Sequence, residues 1–185
     1  MQRLDAEQDD QSIADAAKNF NRLEHVLLQN RTLTLFGEIN QDVARRMAEK
    51  LLALAFESDD PITLYIGSPG GHVESGDTIF DLIRYIKPEV RIIGTGWVGS
   101  IATHIYLAAD KDNRFALPNT RFLIHQPSGG FGGDAADIEI HAREILKTRE
   151  RINGIIAERT GQSIDRVGED TQRDYWMSAE ESVEY

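Results

Sequence analysis

A chain of 185 residues, 41% hydrophobic and 28% charged, has the length and balance of one globular domain and excludes wholesale disorder. Its 31 acidic against 20 basic residues give a formal charge of −11, which excludes nucleic acid as an expected partner, because phosphate binding requires a basic face. No cysteine is present, no apolar run approaches the roughly 20 residues that span a bilayer, and the acidic start lacks a secretory h-region. The expectation is a cytoplasmic protein without disulfides, thiolate metal sites, a thiol nucleophile or a membrane partner.

Residues 1–30 differ from the rest. Asp5, Glu7, Asp9, Asp10 and Asp15 face a single Arg3, so this stretch should stay solvated. Ile13, Ala17, Phe20, Leu23 and Leu27 then recur at helical spacing and predict a docked amphipathic helix. Residues 31–185 read as one domain of alternating strands and helices. TLTLF (32–36) is a strand ended by Gly37, and Val43, Met47, Leu51, Leu54 and Ala55 mark one face of a helix over 41–57. ITLYI (62–66) is a buried strand running into Ser68-Pro69-Gly70-Gly71. Ile79, Leu82, Ile83 and Ile86 line the next helix, and VRIIG (90–94) is the strand after it. A second turn, Gly96-Trp97-Val98-Gly99, leads to Ser100 and the helix IATHIYLAA, and RFLIH (121–125) is a strand closed by Gln126-Pro127.

Such alternation implies an α/β fold, a largely parallel sheet joined by right-handed crossovers and covered by helices. SGGFGGD (128–134) is too glycine-rich for an interior strand. A helix from about Asp134 to Thr160 follows, striped by Ile138, Ile145, Ile152 and Ile156 and stopped by Gly161. At 1.5 Å per residue it runs about 40 Å, more than so small a sheet can cover, so part of it should project toward another subunit. Ser178 and Glu181 spell a capping box so near Tyr185 that the natural chain is expected to continue.

Among nine serines, Ser100 is set apart by its strand–turn–helix junction flanked by Gly96 and Gly99. There the backbone can approach a substrate and a helix start offers free N–H groups; the competing role is a plain N-cap. Gly70-Gly71 ends another strand on the sheet edge where ligands gather, with an ordinary Pro-Gly turn as the competitor. Of five histidines, His72, His104 and His141 fall in or at the start of helices, where structural roles are expected, and His25 lies in the atypical N-terminal stretch. His125 ends an apolar strand at the same sheet edge, as a base would or as a satisfied core histidine would. Spacing does not rank Asp165, Asp170 and Asp174 as the third member. H-E-x-x-H, P-loop, G-x-G-x-x-G and G-x-S-x-G patterns are absent. The residues alone lead to a serine hydrolase whose acid is open.

LYIGSPGG (64–71), IKPEV (86–90), the turn from Gly96 to Ser100, LPNTRFLIHQPSGG (117–130), DIEIHAREILK (137–147), TGQS (160–163), EDTQRD (169–174) and SAEESVEY (178–185) occur in one order. Together, over about residues 31–185, they resemble the proteolytic subunits of the Clp protease family. The resemblance implies a Clp/crotonase-like fold, a mostly parallel sheet with crossover helices and a projecting handle helix. It also implies a serine endopeptidase with Ser100 as nucleophile, His125 as general base and Asp174 as orienting acid. Gly71 and Ile101 would supply the oxyanion-hole N–H groups. Further implied are two stacked heptameric rings enclosing polypeptide substrates and an AAA+ unfoldase partner that uses ATP, with no cofactor or metal in this chain. Three departures stand out. Gly99-Ser100-Ile101-Ala102 replaces Ala-Ser-Met-Gly, Gln172 stands at a usually acidic position, and the N-terminus lacks the segment that enters the axial pore. Two alternatives remain: a paralogous subunit that assembles with and regulates another proteolytic subunit, and a crotonase-type acyl-CoA enzyme.

Overall fold

A computed structural model describes residues 22–130 and 132–185, and the expectations for residues 1–21 lie outside the described residues. Residues 22–29 are helical (α1), as the periodicity predicts, but Leu23 and Leu27 of the expected docking face are 67% and 38% exposed. Helix α1 meets the body through a Glu24–Lys50 ion pair with the following helix and through Leu28, which packs on the core. Arg31 (φ 49) then turns the chain at once into strand β1, Thr32–Phe36.

Helix α2 (Gln41–Glu57) matches its predicted bounds, and the Asn40 side chain caps it by accepting from the Val43 N–H at 3.0 Å. Strand β2 (Ile62–Ser68) runs two residues past the expected ITLYI, and helix α3 (Val73–Tyr85) follows the Pro-Gly-Gly turn. Ala44, Met47, Leu51 and Leu54 of α2, with Ile79, Phe80 and Ile83 of α3, cover Leu33, Leu35, Leu64, Ile66 and Ile92 in one core. Each fully buried Leu or Ile contributes about 1.5–3 kcal/mol, so the sheet and its helices hold together chiefly through this layer.

The expected turn at 96–99 is not a turn. Strand β3 runs from Val90 to Gly99, and its register against β2 jumps from Ile66–Gly94 to Ser68–Val98. Two residues of β2 thus span four of β3. The bend, with Gly96 at φ +61, frees the end of β3 to pair with a new neighbour. The helix expected over 101–109 is also shorter, with α4 covering only Ile101–Tyr106. Arg114 and Arg159 side chains take the Ala109 and Leu107 carbonyls at 2.7–2.9 Å and hold residues 107–109 in a turn.

Two strands escape the sequence because three or four residues carry no readable period. They are β4 (Arg114–Ala116), parallel to the first half of β3, and β6 (Tyr175–Ser178), antiparallel to β5 (Arg121–Ile124). The sheet order is β1-β2-β3-β5-β6, with β4 beside β3, and every pairing except β5–β6 is parallel.

Helix α5 (Ala135–Thr160) has 26 residues, about 39 Å of helix, and ends at Gly161 in the left-handed conformation (φ 81). Its residues divide into two halves. Ile152 and Ile156 are buried in the subunit's own core, whereas Ile138, Ile140 and Leu146 remain about half exposed on the part that projects. The predicted isoleucine stripe therefore serves two surfaces rather than one, because only the C-terminal half of the helix packs into the subunit's core. Helices α6 (Ile164–Asp170) and α7 (Ala179–Glu184) complete the chain, the latter starting from the expected Ser178–Glu181 capping box. Among the described residues no helix is long and apolar enough to cross a membrane.

Candidate active site

Three elements meet at the C-terminal edge of the sheet. The bend in β3 lets Trp97, Val98 and Gly99 pair with Arg121, Phe122 and Leu123 of β5, which brings Ser100 and His125, each just past its strand, side by side. The Ser100 N–H donates to Leu123 O at 2.9 Å. Buried Thr103 fastens the same junction: its hydroxyl lies 2.9 Å from Val98 O and 3.0 Å from Leu123 O. Nothing in the local sequence marks Thr103 for this role, because its two acceptors belong to different strands.

Ser100 occupies the N-cap position of α4, yet its side chain caps nothing. Its hydroxyl instead donates to His125 Nε2 at 2.8 Å, and His125 Nδ1 lies 2.9 Å from Asp174 Oδ1. A carboxylate only accepts, so the imidazole proton belongs on Nδ1, leaving Nε2 bare to receive the serine proton. The plain N-cap role considered for Ser100 is thus not the one it adopts. His125 is partly sheltered and Asp174 largely open to solvent, with side-chain exposures of 29% and 63%.

Asp174 reaches the histidine through backbone ties that spacing cannot reveal. The Gln126 N–H donates to Thr171 O at 2.7 Å, and its side-chain amide to Gln172 O at 2.9 Å, laying residues 171–174 along the residues after β5. Of the other acids, Asp165 lies in the first turn of α6, and Asp170 accepts from the Tyr185 hydroxyl at 3.0 Å. Neither joins His125. Burial and the Asp170 hydrogen bond together push the Tyr185 hydroxyl well above its ordinary range.

Gly70 and Gly71 approach the serine closely. A Cβ on Gly70 (φ +102) would lie 2.7 Å from Ser100 Cβ, and one on Gly71 (φ +148) 2.2 Å from Ile39 O. Only glycine fits either place. Ile39 bridges this turn through its N–H to Gly70 O and its carbonyl from the His72 N–H, both 2.8 Å, so the Gly71 N–H takes no part in the bridge. Ile101, first residue of α4, has an N–H with no intrahelical acceptor, on the chain directly after Ser100.

The remaining histidines lie elsewhere. His25 is exposed on α1, and His141 is half-buried on the projecting part of α5. His72 precedes α3 and contacts Ser75 Oγ at 2.9 Å. His104 is buried one turn beyond Ser100. Among the described residues no three His, Asp or Glu side chains gather as a metal-binding group.

A family model described as Clp protease matches residues 15–185. ATP-dependent Clp protease proteolytic subunit 3 of Rhizobium etli is 55% identical over 159 residues, covering 86% of this chain and 82% of the relative. Proteolytic subunit 2 of Pseudomonas aeruginosa is 51% identical over 164 residues, covering 89% and 82%. Among solved structures, a mutant of ClpP1 from Listeria monocytogenes is 53% identical, covers 88% of this chain and 91% of its own, and superposes with a TM-score of 0.82.

Proposed function

The chain belongs to the Clp protease family, and from that premise we propose that Ser100, His125 and Asp174 form the working triad of this serine-type peptidase subunit. The observation that carries the proposal is the continuous hydrogen-bonded chain from the Ser100 hydroxyl through His125 to the Asp174 carboxylate, at 2.8 and 2.9 Å. Ser100 Oγ attacks the carbonyl carbon of the scissile peptide bond while its proton passes to His125 Nε2. Asp174 holds the ring in the Nδ1–H tautomer and stabilises the imidazolium. The negative charge that develops on the carbonyl oxygen is received by the N–H groups of Gly71 and Ile101, each such donor being worth about 10²–10³ in rate. His125 then gives its proton to the leaving amine, and water enters by the same route to release the acyl group.

The natural substrate in this proposal is unfolded polypeptide, and the chemistry needs no cofactor in this chain. Family membership sets aside the acyl-CoA alternative. The exposed Ile138, Ile140 and Leu146 on the projecting half of α5 support a double ring in which facing α5 helices cover one another. An AAA+ unfoldase in the cytoplasm, using ATP on its own account, would feed the chamber. The face of the sheet carrying the register row Tyr65, Ile93 and Phe115 offers it an apolar rim.

Fluorophosphonate labelling of the purified chain, read by intact mass under native conditions, tests the triad and the assembly together. Labelling of the wild type, lost in Ser100→Ala at unchanged oligomer mass, is the expected result. A wild-type assembly that stays unlabelled would overturn the triad.

A further inference from the structure

Helix α4 has only six residues, Ile101–Tyr106, and it follows directly on the strained Ser100. It begins with the Ile101 N–H, the donor proposed to receive the charge on the substrate carbonyl. So short a helix has almost no stability of its own, and the direction of its first N–H groups is set by what it packs on. Thr103 fastens one side of it to β3 and β5. Another side lies on α3, at two consecutive residues. A Cβ on Gly76 would fall 2.1 Å from Ile101 Cγ1, so the Ile101 side chain fills the space that Gly76 leaves open. Asp77, the next residue, faces His104 one turn along α4, with its Oδ1 3.2 Å from Nε2.

His104 is 2% exposed, and Phe80, one turn beyond Asp77 on α3, stacks on its ring with centroids 4.3 Å apart. One face of α3 thus meets the imidazole on its flat side and at its Nε2 edge. A ring sealed in this way does not reach substrate. Neither nitrogen completes an aligned hydrogen bond, so the contact with Asp77 is that of a carboxylate with the Nε2–H dipole. An imidazole buried on these terms is less stabilising than an apolar side chain of similar volume, so packing alone does not account for it. What the imidazole adds is direction, because only one edge of it faces a charge.

Asp77 supplies that charge. Arg151 of α5 donates to both its oxygens, at 2.8 and 2.7 Å. Burial pushes the carboxyl up, but His104 and Arg151 together outweigh burial and hold it at about 2. The carboxylate is therefore ionised throughout the neutral range, and with 20% of its side chain exposed it is only weakly screened.

We propose that Asp77 is a positioning residue for catalysis, which through His104 fixes the rotation of α4 about its own axis and so aims the Ile101 N–H at the carbonyl oxygen. Gly76 sets how closely the two helices approach, Asp77 sets which way α4 is turned, and Arg151 keeps Asp77 in place. The N–H is most effective once negative charge has developed on its acceptor, so a turned helix weakens transition-state binding more than substrate binding. The proposal rests on the triad and the N–H donors assigned above.

The test compares wild type with Asp77→Asn, His104→Gln and His104→Leu, each as the full assembly, on one short fluorogenic peptide. Glutamine keeps an N–H near the place of Nε2, whereas leucine keeps only bulk. Asp77→Asn and His104→Leu should lower kcat about tenfold with KM within about twofold, while His104→Gln stays within about threefold of wild type. The pH midpoint of kcat/KM, which reports His125, should not move. Wild-type kcat in Asp77→Asn, a raised KM at unchanged kcat, a moved midpoint, or equal kcat in the two His104 variants overturns the proposal. Loss of assembly in all three variants also overturns it, because the cluster would then be structural only. Each of these results leaves the triad standing while the wild type labels with fluorophosphonate. A wild type that does not label removes the triad and the proposal together.

Discussion

Alanine at Gly70 is the sharpest probe of how the serine is presented. The residue sits at φ +102, where an L side chain is strained, and the added Cβ would meet Ser100 Cβ at 2.7 Å, Gly99 O at 2.8 Å and the Ile101 N at 3.2 Å. Carbon atoms prefer about 3.5–4.0 Å, so the turn and the serine must part by roughly 1 Å. Strain of this kind costs on the order of 1–3 kcal/mol in stability. Displacing a catalytic group by about 1 Å costs about 10²-fold in rate. Gly161→Ala is the matched control: its φ is +81, so alanine is strained there too, but nothing lies within 4 Å of the new Cβ. Peptide kcat/KM, fluorophosphonate labelling rate and thermal midpoint, measured on both, separate the two contributions. Gly70→Ala should lose stability and about two orders of magnitude in both rates, while Gly161→Ala should lose only stability, roughly 1 kcal/mol. A Gly70→Ala enzyme within threefold of wild type would show that the turn and the serine are not coupled as described.

His125→Ala should lower peptide turnover by several orders of magnitude, and Asp174→Asn by up to about 10⁴ through the wrong imidazole tautomer, with assembly unchanged by native mass. A charge at Ile140, half exposed on the projecting part of α5, should lower the oligomer mass without unfolding the subunit, because in the proposed double ring it strikes only a surface between copies. The same charge at Ile152, buried in the subunit's own core, should cost stability outright, by about 3 kcal/mol or more in denaturant titration. The stability gap between wild type and Asp77→Asn should be full above pH 3.8 and close as pH falls toward about 2, because stabilisation by a carboxyl depressed in the folded state is complete above its unfolded pKa and is lost as the folded state too becomes protonated. Denaturation midpoints of both proteins between pH 2 and 7 check this, and a gap that is constant with pH would refute it.

What the sequence made legible is what is encoded locally. The TLTLF strand, the 41–57 helix, the handle-length helix and its Gly161 stop all follow from period or cap chemistry, and the structure has each at its expected bounds, to within a residue. By sequence the bend in β3 reads as a turn, because two glycines in four residues usually make one, and only pairing with β5 turns the stretch into strand. The third site residue shows the same division. Asp165, Asp170 and Asp174 are equivalent by spacing, and the ties that bring Asp174 to His125 run from Gln126 to Thr171 and Gln172, more than 40 residues along the chain. The family resemblance named Asp174 where the residues alone could not.

The backbone of Ser100 explains why no local motif announced it. Ser100 has φ 56 and ψ −126, one of two described non-glycine residues with positive φ, a conformation costing on the order of 1–3 kcal/mol. In this conformation its hydroxyl points to His125 rather than back to the helix it precedes, where a capping bond would consume it. A sharp nucleophile turn in a hydrolase sheet is commonly bought with glycines two residues either side of the serine, and this chain has Val98 and Ala102 there. The room comes instead from Gly99 next door and from Gly70, thirty residues earlier in the turn after β2, whose missing Cβ is what lets Ser100 stand there. The Thr103 hydroxyl and the Ser100 N–H, both bonded to Leu123 O, hold the strained residue from the far side. The same physical requirement is therefore met by contacts across the sheet, which a scan of consecutive residues cannot detect and a change at any one of them should disturb.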